Sequence, residues 1–235
     1  MTTDRPTTQA LPLYLQISEV LLRDIAAGRL VDGQRLPPER DMARQHATSV
    51  TTLRKALAEL ESKGLLERIQ GSGNYIRAGQ GKAIPGEYSM FRLELRTGGG
   101  LPTTQLIAVD ALRKDHDWGT ASEASRVRRL RFIDGRPVAV EEIWLDADSG
   151  RVEAAQLSDS LYRYYRLRLG LWITRAEDRV TIDRVPDWAP AAFGPAPGSV
   201  TGYIERYSWG RGSEPVEFSR TWFDTGSAHY VQRMT

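Results

Sequence analysis

The sequence contains no cysteine and only three histidines, His46, His116 and His229. The first absence excludes disulfides, iron–sulfur clusters, thiol nucleophiles and the usual thiolate zinc site. The second leaves three scattered imidazoles, with no partner at the spacing that a metal cluster or a general base requires. No serine sits in a Gly-x-Ser-x-Gly elbow. There is no apolar run of about 18 residues that could span a membrane. The opening "MTTDRPTTQALPLY" also lacks the basic-then-apolar layout of a secretion signal. We therefore expect a cytoplasmic protein without metal, cofactor or membrane partner. Strong net charge is absent too, at +2 overall. That excess lies entirely in the first third: residues 1–78 carry 11 Lys+Arg against 9 Asp+Glu, and the rest carry 21 of each. A charge that weak makes the placement of individual arginines the only electrostatic argument for nucleic acid.

What is present is ordinary globular material, 40% hydrophobic and 26% charged over 235 residues, enough for one large domain or two smaller ones. In "LYLQISEVLLRDIAAGRL", Tyr14, Ile17, Leu21 and Ile25 fall on one helix face, with Gly28 as a stop. In "LPPERDMARQHA", Pro37 and Pro38 suit a helix start, and Glu39 and Asp41 favour its positive end. "SVTTLRKALAELESKGLL" places Leu53, Ala56, Leu57 and Leu60 at i, i+3, i+4, i+7, with Ser49 as N-cap and Gly64 as closing residue. "RIQGSGNYI" follows. Its glycines are not succeeded by the Lys-Ser or Lys-Thr of a phosphate loop, so the stretch reads as a hairpin whose turn needs positive φ. Three helices and a hairpin form the layout of a winged helix-turn-helix. At the start of the third helix, Ser49, Thr51 and Thr52 offer short hydroxyls to phosphate oxygens. Arg54, one turn in and away from the Leu53/Leu57 face, can reach a guanine edge in a major groove. The alternative is that Arg40, Arg44 and Arg54 are only solvated charges on helix faces.

Leu-Pro-x-Glu-Arg, Leu-Arg-Lys-Ala-Leu, Lys-Gly-Leu-Leu and Gly-x-Gly occur here in order and without gaps through residues 12–77. In this the stretch resembles the DNA-binding domain of the GntR family of bacterial transcription regulators. The resemblance implies base contacts from Arg40 and Arg54 and a minor-groove backbone contact from Gly71 at the wing tip. It also implies a homodimer on palindromic double-stranded operator DNA, most simply as a repressor. One residue departs from the family pattern. Val50 stands where an arginine usually follows the serine that opens the recognition helix, so the operator half-site is expected to differ from the commonest one.

"RAGQGKAIPGEYS", rich in glycine and small residues, reads as a linker. Beyond it, strand-like runs alternate with turns, and two hairpins form a weak repeat, "RLRFIDGRPVAVEEIWLD" and "ERYSWGRGSEPVEFSRTWFD". Asp134-Gly135 is a hairpin turn signal. "LSDSLYRYYRLRLG" reads as a helix from an N-cap at Ser158 to Gly170, and "PDWAPAAFG" as a shorter one. The order suggests an α+β domain around an antiparallel sheet. Arg-x-Arg, Gly-x-Pro-Val-x-x-Glu, Ser-Leu-Tyr, Arg-Ala-Glu-Asp and Pro-Val-Glu-Phe-Ser-Arg follow one another as in the UTRA effector-binding domain of the HutC branch of the same family. That domain has a chorismate-lyase-like fold. The expected organisation is a winged helix-turn-helix over 1–77, a linker over 78–89, and an effector-binding and dimerisation domain over 90–235.

In "SRVRRLRFI" the two-residue strand period sets Val127, Arg129, Arg131 and Ile133 on one face, and Arg126, Arg128, Leu130 and Phe132 on the other. Two arginines bracketed by Val and Ile are costly to bury without an anion to accept their hydrogen bonds. On the strand pattern alone, an anion site and a surface ion-pair ladder with Glu141 and its neighbours are both open. The UTRA resemblance implies that Arg129 and Arg131 hold the anionic end of a small effector (a phosphate, phosphonate or carboxylate compound), while Glu141 and Glu217 accept from its polar body. Ser160 would add a hydroxyl in the first turn of the Ser-Leu-Tyr helix, and Arg92 is a further candidate. The alternative function is a lyase-like enzyme fused to a DNA-binding domain, with Glu141 and Glu217 as paired acid and base. No nucleophile or histidine constellation supports it, and we expect no enzyme.

Overall fold

The computed structural model describes residues 11–26, 29–77, 93–97, 102–157 and 160–232, which divide into two compact units. The expected linker, Arg92, Gly28 and Ser158 lie outside the described residues.

The first unit is built from α1 (Leu13–Ala26), α2 (Glu39–Gln45), α3 (Val50–Ser62) and a hairpin of β1 (Leu66–Ile69) and β2 (Gly73–Ile76). Its core follows the predicted helical spacing except at Tyr14, which is only half-buried. Ile17, Leu21 and Ile25 of α1 are buried against α3, whose Leu53, Ala56, Leu57 and Leu60 have no exposed surface. Burying each leucine is worth about 1.5–3 kcal/mol. Ser49 caps α3, its hydroxyl accepting from the Thr52 N–H at 3.1 Å. The helix ends as Leu65 N–H reaches the Leu60 carbonyl at 2.9 Å around Gly64, whose φ of +66° is the left-handed value that favours glycine. The hairpin pairs Leu66 with Ile76 and Ile69 with Gly73, and turns through Gly71 at φ +76°. Arg35 adds a bridge to Tyr75.

The second unit is centred on one six-stranded antiparallel sheet in the order β4-β5-β6-β9-β8-β7. These strands are β4 (Pro102–Arg113), β5 (Glu123–Ile133), β6 (Arg136–Asp146), β7 (Arg175–Arg184), β8 (Val200–Trp209) and β9 (Pro215–Phe223). A small sheet pairs β3 (Leu93–Leu95) with β10 (Ala228–Tyr230). The two hairpins of the sequence repeat, β5–β6 and β8–β9, lie side by side through β6 and β9. The first turns at Asp134 (φ +49°) and Gly135 (φ +72°), the two positive φ values of a tight hairpin.

Strand parity gives the sheet two unlike faces. One carries Leu130, Val140, Tyr203 and Trp222 under Val185 and Phe193, an apolar layer. The other carries Arg129 and Arg131 on β5, Glu141 on β6, Glu217 and Thr221 on β9, and Arg206 and Ser208 on β8. Two expected helices are altered. The Ser-Leu-Tyr segment is α-helical only as α4 (Leu161–Tyr164), then widens into a π turn (Tyr165–Leu169) that stops at Gly170 with φ +65°. "PDWAPAAFG" gives only a 3-10 turn, Ala191–Phe193. Pro190 in its middle lacks an N–H and disfavours helix in the residue before it, and Gly194-Pro195 closes the stretch.

Candidate functional site

In the first unit the residues with DNA-binding chemistry surround the start of α3. Thr51 and Arg54 are exposed on its outer side, Arg40 is exposed on α2, and Gly71 is exposed at the hairpin turn. Ser49 and Thr52 are linked to each other, hydroxyl to hydroxyl at 2.9 Å. Val50 begins the helix as a half-buried apolar side chain. Arg54, 63% exposed, donates from Nε to Glu39 Oε2 at 2.6 Å. Glu39 also accepts from the buried Asn74 amide of the hairpin at 3.4 Å, and the Arg68 guanidinium lies 3.9 Å away. Burial pushes the Glu39 carboxyl up, but hydrogen bonds from Arg54 and Asn74 and the charges of Arg54 and Arg68 outweigh it, and its pKa lies below the ordinary value. Arg68 in turn donates to the Arg54 carbonyl at 3.2 Å and pairs with Glu61. Glu39 thus ties α2, α3 and the hairpin together behind Arg54. Sequence reasoning took Glu39 for a helix-dipole residue and missed this role, because the partners lie 15 and 35 residues away.

In the second unit the structure brings Arg129, Arg131 and Glu141 together on the polar face of the sheet. Arg129 Nε donates to Glu141 Oε2 at 2.5 Å, and Arg131 Nη1 reaches both carboxylate oxygens at 3.1 and 3.2 Å. Their side chains are 10%, 11% and 8% exposed. The contact expected of an ion-pair ladder is therefore made, but in a buried setting rather than on a surface. Burial pushes the Glu141 carboxyl up, yet the two guanidiniums prevail and hold it below the usual range. Burial draws Arg131 down from its ordinary value, with Glu141 opposing and Arg129 adding. An arginine so shifted still carries its charge.

Glu217 sits on the same face, two strands from Arg129, and is 2% exposed. Its Oε1 accepts from Tyr162 at 2.8 Å and from Ser208 at 3.0 Å. The Tyr165 hydroxyl lies close enough to Glu217 to couple with it electrically, but neither that hydroxyl nor Oε2 completes a hydrogen bond of ordinary geometry. Burial raises the Glu217 pKa, and the hydroxyls and Arg206 only partly offset this. Arg206, which sequence reasoning missed, is held by Asp178 through two bonds of 2.5 and 2.7 Å, with Tyr230 donating to the same carboxylate. The available signal was the alternation in "ERYSW", which puts Arg206 on the face of Ser208. Ser160 is corrected from the first turn of its helix to the N-cap, where its hydroxyl accepts from the Arg163 N–H at 3.4 Å. Arg92 lies outside the described residues. The opposite face has its own charged group, Glu142, which takes bonds from Arg128, Trp144 and Arg220.

Chemically, one end of the polar face offers two guanidiniums around a single carboxylate. The other offers a carboxyl biased toward its neutral form among tyrosines. Among the described residues no group of His, Asp or Glu has metal-holding geometry, and no helix is long and apolar enough to cross a membrane.

Comparison with known proteins bears on both units. The model of the gntR family of bacterial regulatory proteins matches residues 13–76, and the model of the UTRA domain matches residues 102–228. The HTH-type transcriptional regulator SmoD of Agrobacterium fabrum is 50% identical over 232 residues, covering 97% of this chain and 98% of SmoD. The HTH-type transcriptional repressor NagR of Bacillus subtilis is 25% identical over 177 residues, covering 72% of this chain and 73% of NagR. Among solved structures, the possible transcriptional regulator YydK of Bacillus subtilis superposes with a TM-score of 0.50 at 20% identity, covering 95% of this chain and 99% of that one. This last likeness concerns the fold.

Proposed function

The chain belongs to the GntR family of bacterial regulatory proteins, and we propose that it is a cytoplasmic, homodimeric repressor of the HutC branch whose hold on a palindromic operator is set by a small anion. It is a transcriptional regulator that carries a UTRA domain, and its relatives are regulators rather than enzymes. In the proposed division, 1–77 binds DNA, 78–89 links, and 90–235 binds effector and dimerises. Arg54 and Arg40 read base edges, Ser49, Thr51 and Thr52 meet phosphates, and the Gly71 backbone enters the minor groove. Repression is supported by the name of NagR, and two symmetric copies multiply the few base contacts that one module makes.

The effector reading rests on one observation: two buried guanidiniums, Arg129 and Arg131, converge on the single carboxylate of Glu141. A phosphate, phosphonate or carboxylate of the effector accepts bidentate bonds there, repaying the desolvation of a second buried cation. Glu141 and Glu217 then serve as acceptors for its polar body, with Ser160 at the N-cap and Arg92 as lesser contributors. Either arginine can be removed singly without stranding Glu141, since the other still pairs with it. Arg129→Ala and Arg131→Ala are therefore expected to bind operator DNA as the parent does without effector, and to lose the response to it. Fluorescence anisotropy on operator DNA, with anionic metabolites first selected by thermal shift, measures both. A double variant that keeps the full response removes the anion from this site.

A further inference from the structure

β7 is an outer strand of the six-stranded sheet, and no strand among the described residues pairs with its free edge. Val180 and Ile182 on it are 49% and 69% exposed, and Val200 of β8, near them on the same face, is 60% exposed. Its pairing with β8 runs from Arg175 to Arg184 without a register shift, and it contains no proline or lysine. Monomeric proteins usually interrupt such an edge. The opposite edge is interrupted: β4 begins at Pro102 and carries a bulge between Leu106 and Ala108.

The hydrogen-bond ladder determines which groups face outward. Val185 N–H donates to the Ser199 carbonyl at 2.9 Å, in the register that pairs Arg184 with Val200. Residues alternate along an antiparallel strand, so odd-numbered residues bond to β8, while Ala176, Asp178, Val180, Ile182 and Arg184 turn N–H and C=O outward. Two copies meeting antiparallel across this edge must match even residues with even ones. Centred on Val180, that match sets Glu177 against Asp183 of the second copy. Centred on Arg179, it sets arginine against arginine. Centred on Ile182, it sets Val180 against Arg184. Centred on Thr181, it pairs Val180 with Ile182 and Arg179 with Asp183, each twice. Asp183 is already fixed by the Trp222 indole N–H at 3.1 Å, and Arg179 by Glu177 at 3.0 Å. Both partners of the charged pair therefore stand on the same face of the edge, as the register needs.

We propose that two copies of this chain join through β7, antiparallel about Thr181, making one continuous sheet of six strands from each copy. The interface rests on the dimeric reading above and adds its location and register. Val180, Ile182 and Val200 of both copies form its apolar centre on one face, and two Arg179–Asp183 pairs flank it on the other.

The chain lacks cysteine, so Thr181→Cys gives it a single thiol. At a non-hydrogen-bonded antiparallel pair the two Cα atoms stand about 4.5 Å apart, inside the range that a disulfide spans. Mild oxidation of the full-length variant should give a covalent dimer on a non-reducing gel, and Arg175→Cys should not. In sedimentation, Arg179→Asp and Asp183→Arg should each raise the dimer dissociation constant roughly tenfold or more, because two attractive cross-strand pairs become repulsive. The double variant Arg179→Asp, Asp183→Arg should restore it to near the parent value, which a folding defect would not allow. A parent dimer that persists while Thr181→Cys fails to cross-link and Arg179→Asp changes nothing overturns this edge and leaves the dimeric reading standing. A parent that sediments as a monomer at micromolar concentration overturns both.

Discussion

The two units handle their arginines in opposite ways. In the first, Arg54 reaches Glu39 from a position still 63% exposed, and Arg40 stands in solvent. In the second, Arg129 and Arg131 meet Glu141 at about a tenth of their possible exposure. An exposed pair is worth about 0–1 kcal/mol and exchanges readily, so Arg54 can trade its carboxylate for a base edge at little cost. A buried pair has lost its hydration, and a change on either side must be answered by another charge. The first arrangement suits recognition of a large polyanion with many contacts. The second suits capture of one small anion and a coupled response to it.

The contrast predicts a ranked series of effects. Glu141→Ala strands two buried guanidiniums and should cost about 3–5 kcal/mol of stability, read as a shifted urea midpoint. Glu39→Ala, at a half-buried carboxylate whose arginine partner is exposed, should lower stability far less while blurring discrimination in operator binding, since it releases the Arg54 guanidinium from its carboxylate on α2. Equal losses of stability in the two variants would erase the distinction. Next, Arg54→Ala should cost about 1–3 kcal/mol on the operator and relax discrimination at one base pair of each half-site. Equal losses on specific and random DNA would remove its base-reading role. Ser49→Ala removes the cap of α3 and should cost about 1 kcal/mol of stability.

The smallest effect separates the two buried carboxyls by pH. Glu217 has its folded pKa raised above the ordinary 4.5, so its ionisation in the folded state costs stability as pH rises from there through the folded value. Glu217→Gln should therefore melt increasingly above the parent as pH climbs above 4.5, with the gap closing below that value. Glu141 has its folded pKa lowered, so its contribution is present above 4.5 and fades as pH falls through the folded value. Melting curves of Glu217→Gln and the parent across this range give the difference directly. A gap that widened toward acid would contradict the burial of an ionisable Glu217.

What the sequence disclosed follows the reach of its signals. Caps, helical spacing and glycines act within a few residues, so Ser49, the Leu53-to-Leu60 face and the turns at Gly71 and Gly135 were legible one by one. The face shared by Arg129 and Arg131 followed from the two-residue period. The pairing of Glu39 with Arg54 and Asn74, and of Arg206 with Asp178, depends on how elements meet and on strand register, which no local pattern carries. Ser160 was misplaced because the helix start lies two residues later than the expected Ser158 cap. The helix expected at "PDWAPAAFG" fails on Pro190, a local signal that disfavours helix in the residue before it. The contacts proposed for Arg40 and Gly71 come from family resemblance, and that for Arg54 from resemblance together with its helix position, since exposure alone does not distinguish a base reader from a solvated charge.

The most direct test of the account compares operator affinity with and without an anionic metabolite in the parent, Arg54→Ala and Arg129→Ala by fluorescence anisotropy. Arg54→Ala should weaken operator binding while its remaining affinity still responds to the metabolite, and Arg129→Ala should bind like the parent and no longer respond. A metabolite response that survives in Arg129→Ala at the parent's magnitude and midpoint would contradict the division between exposed readers and buried sensors.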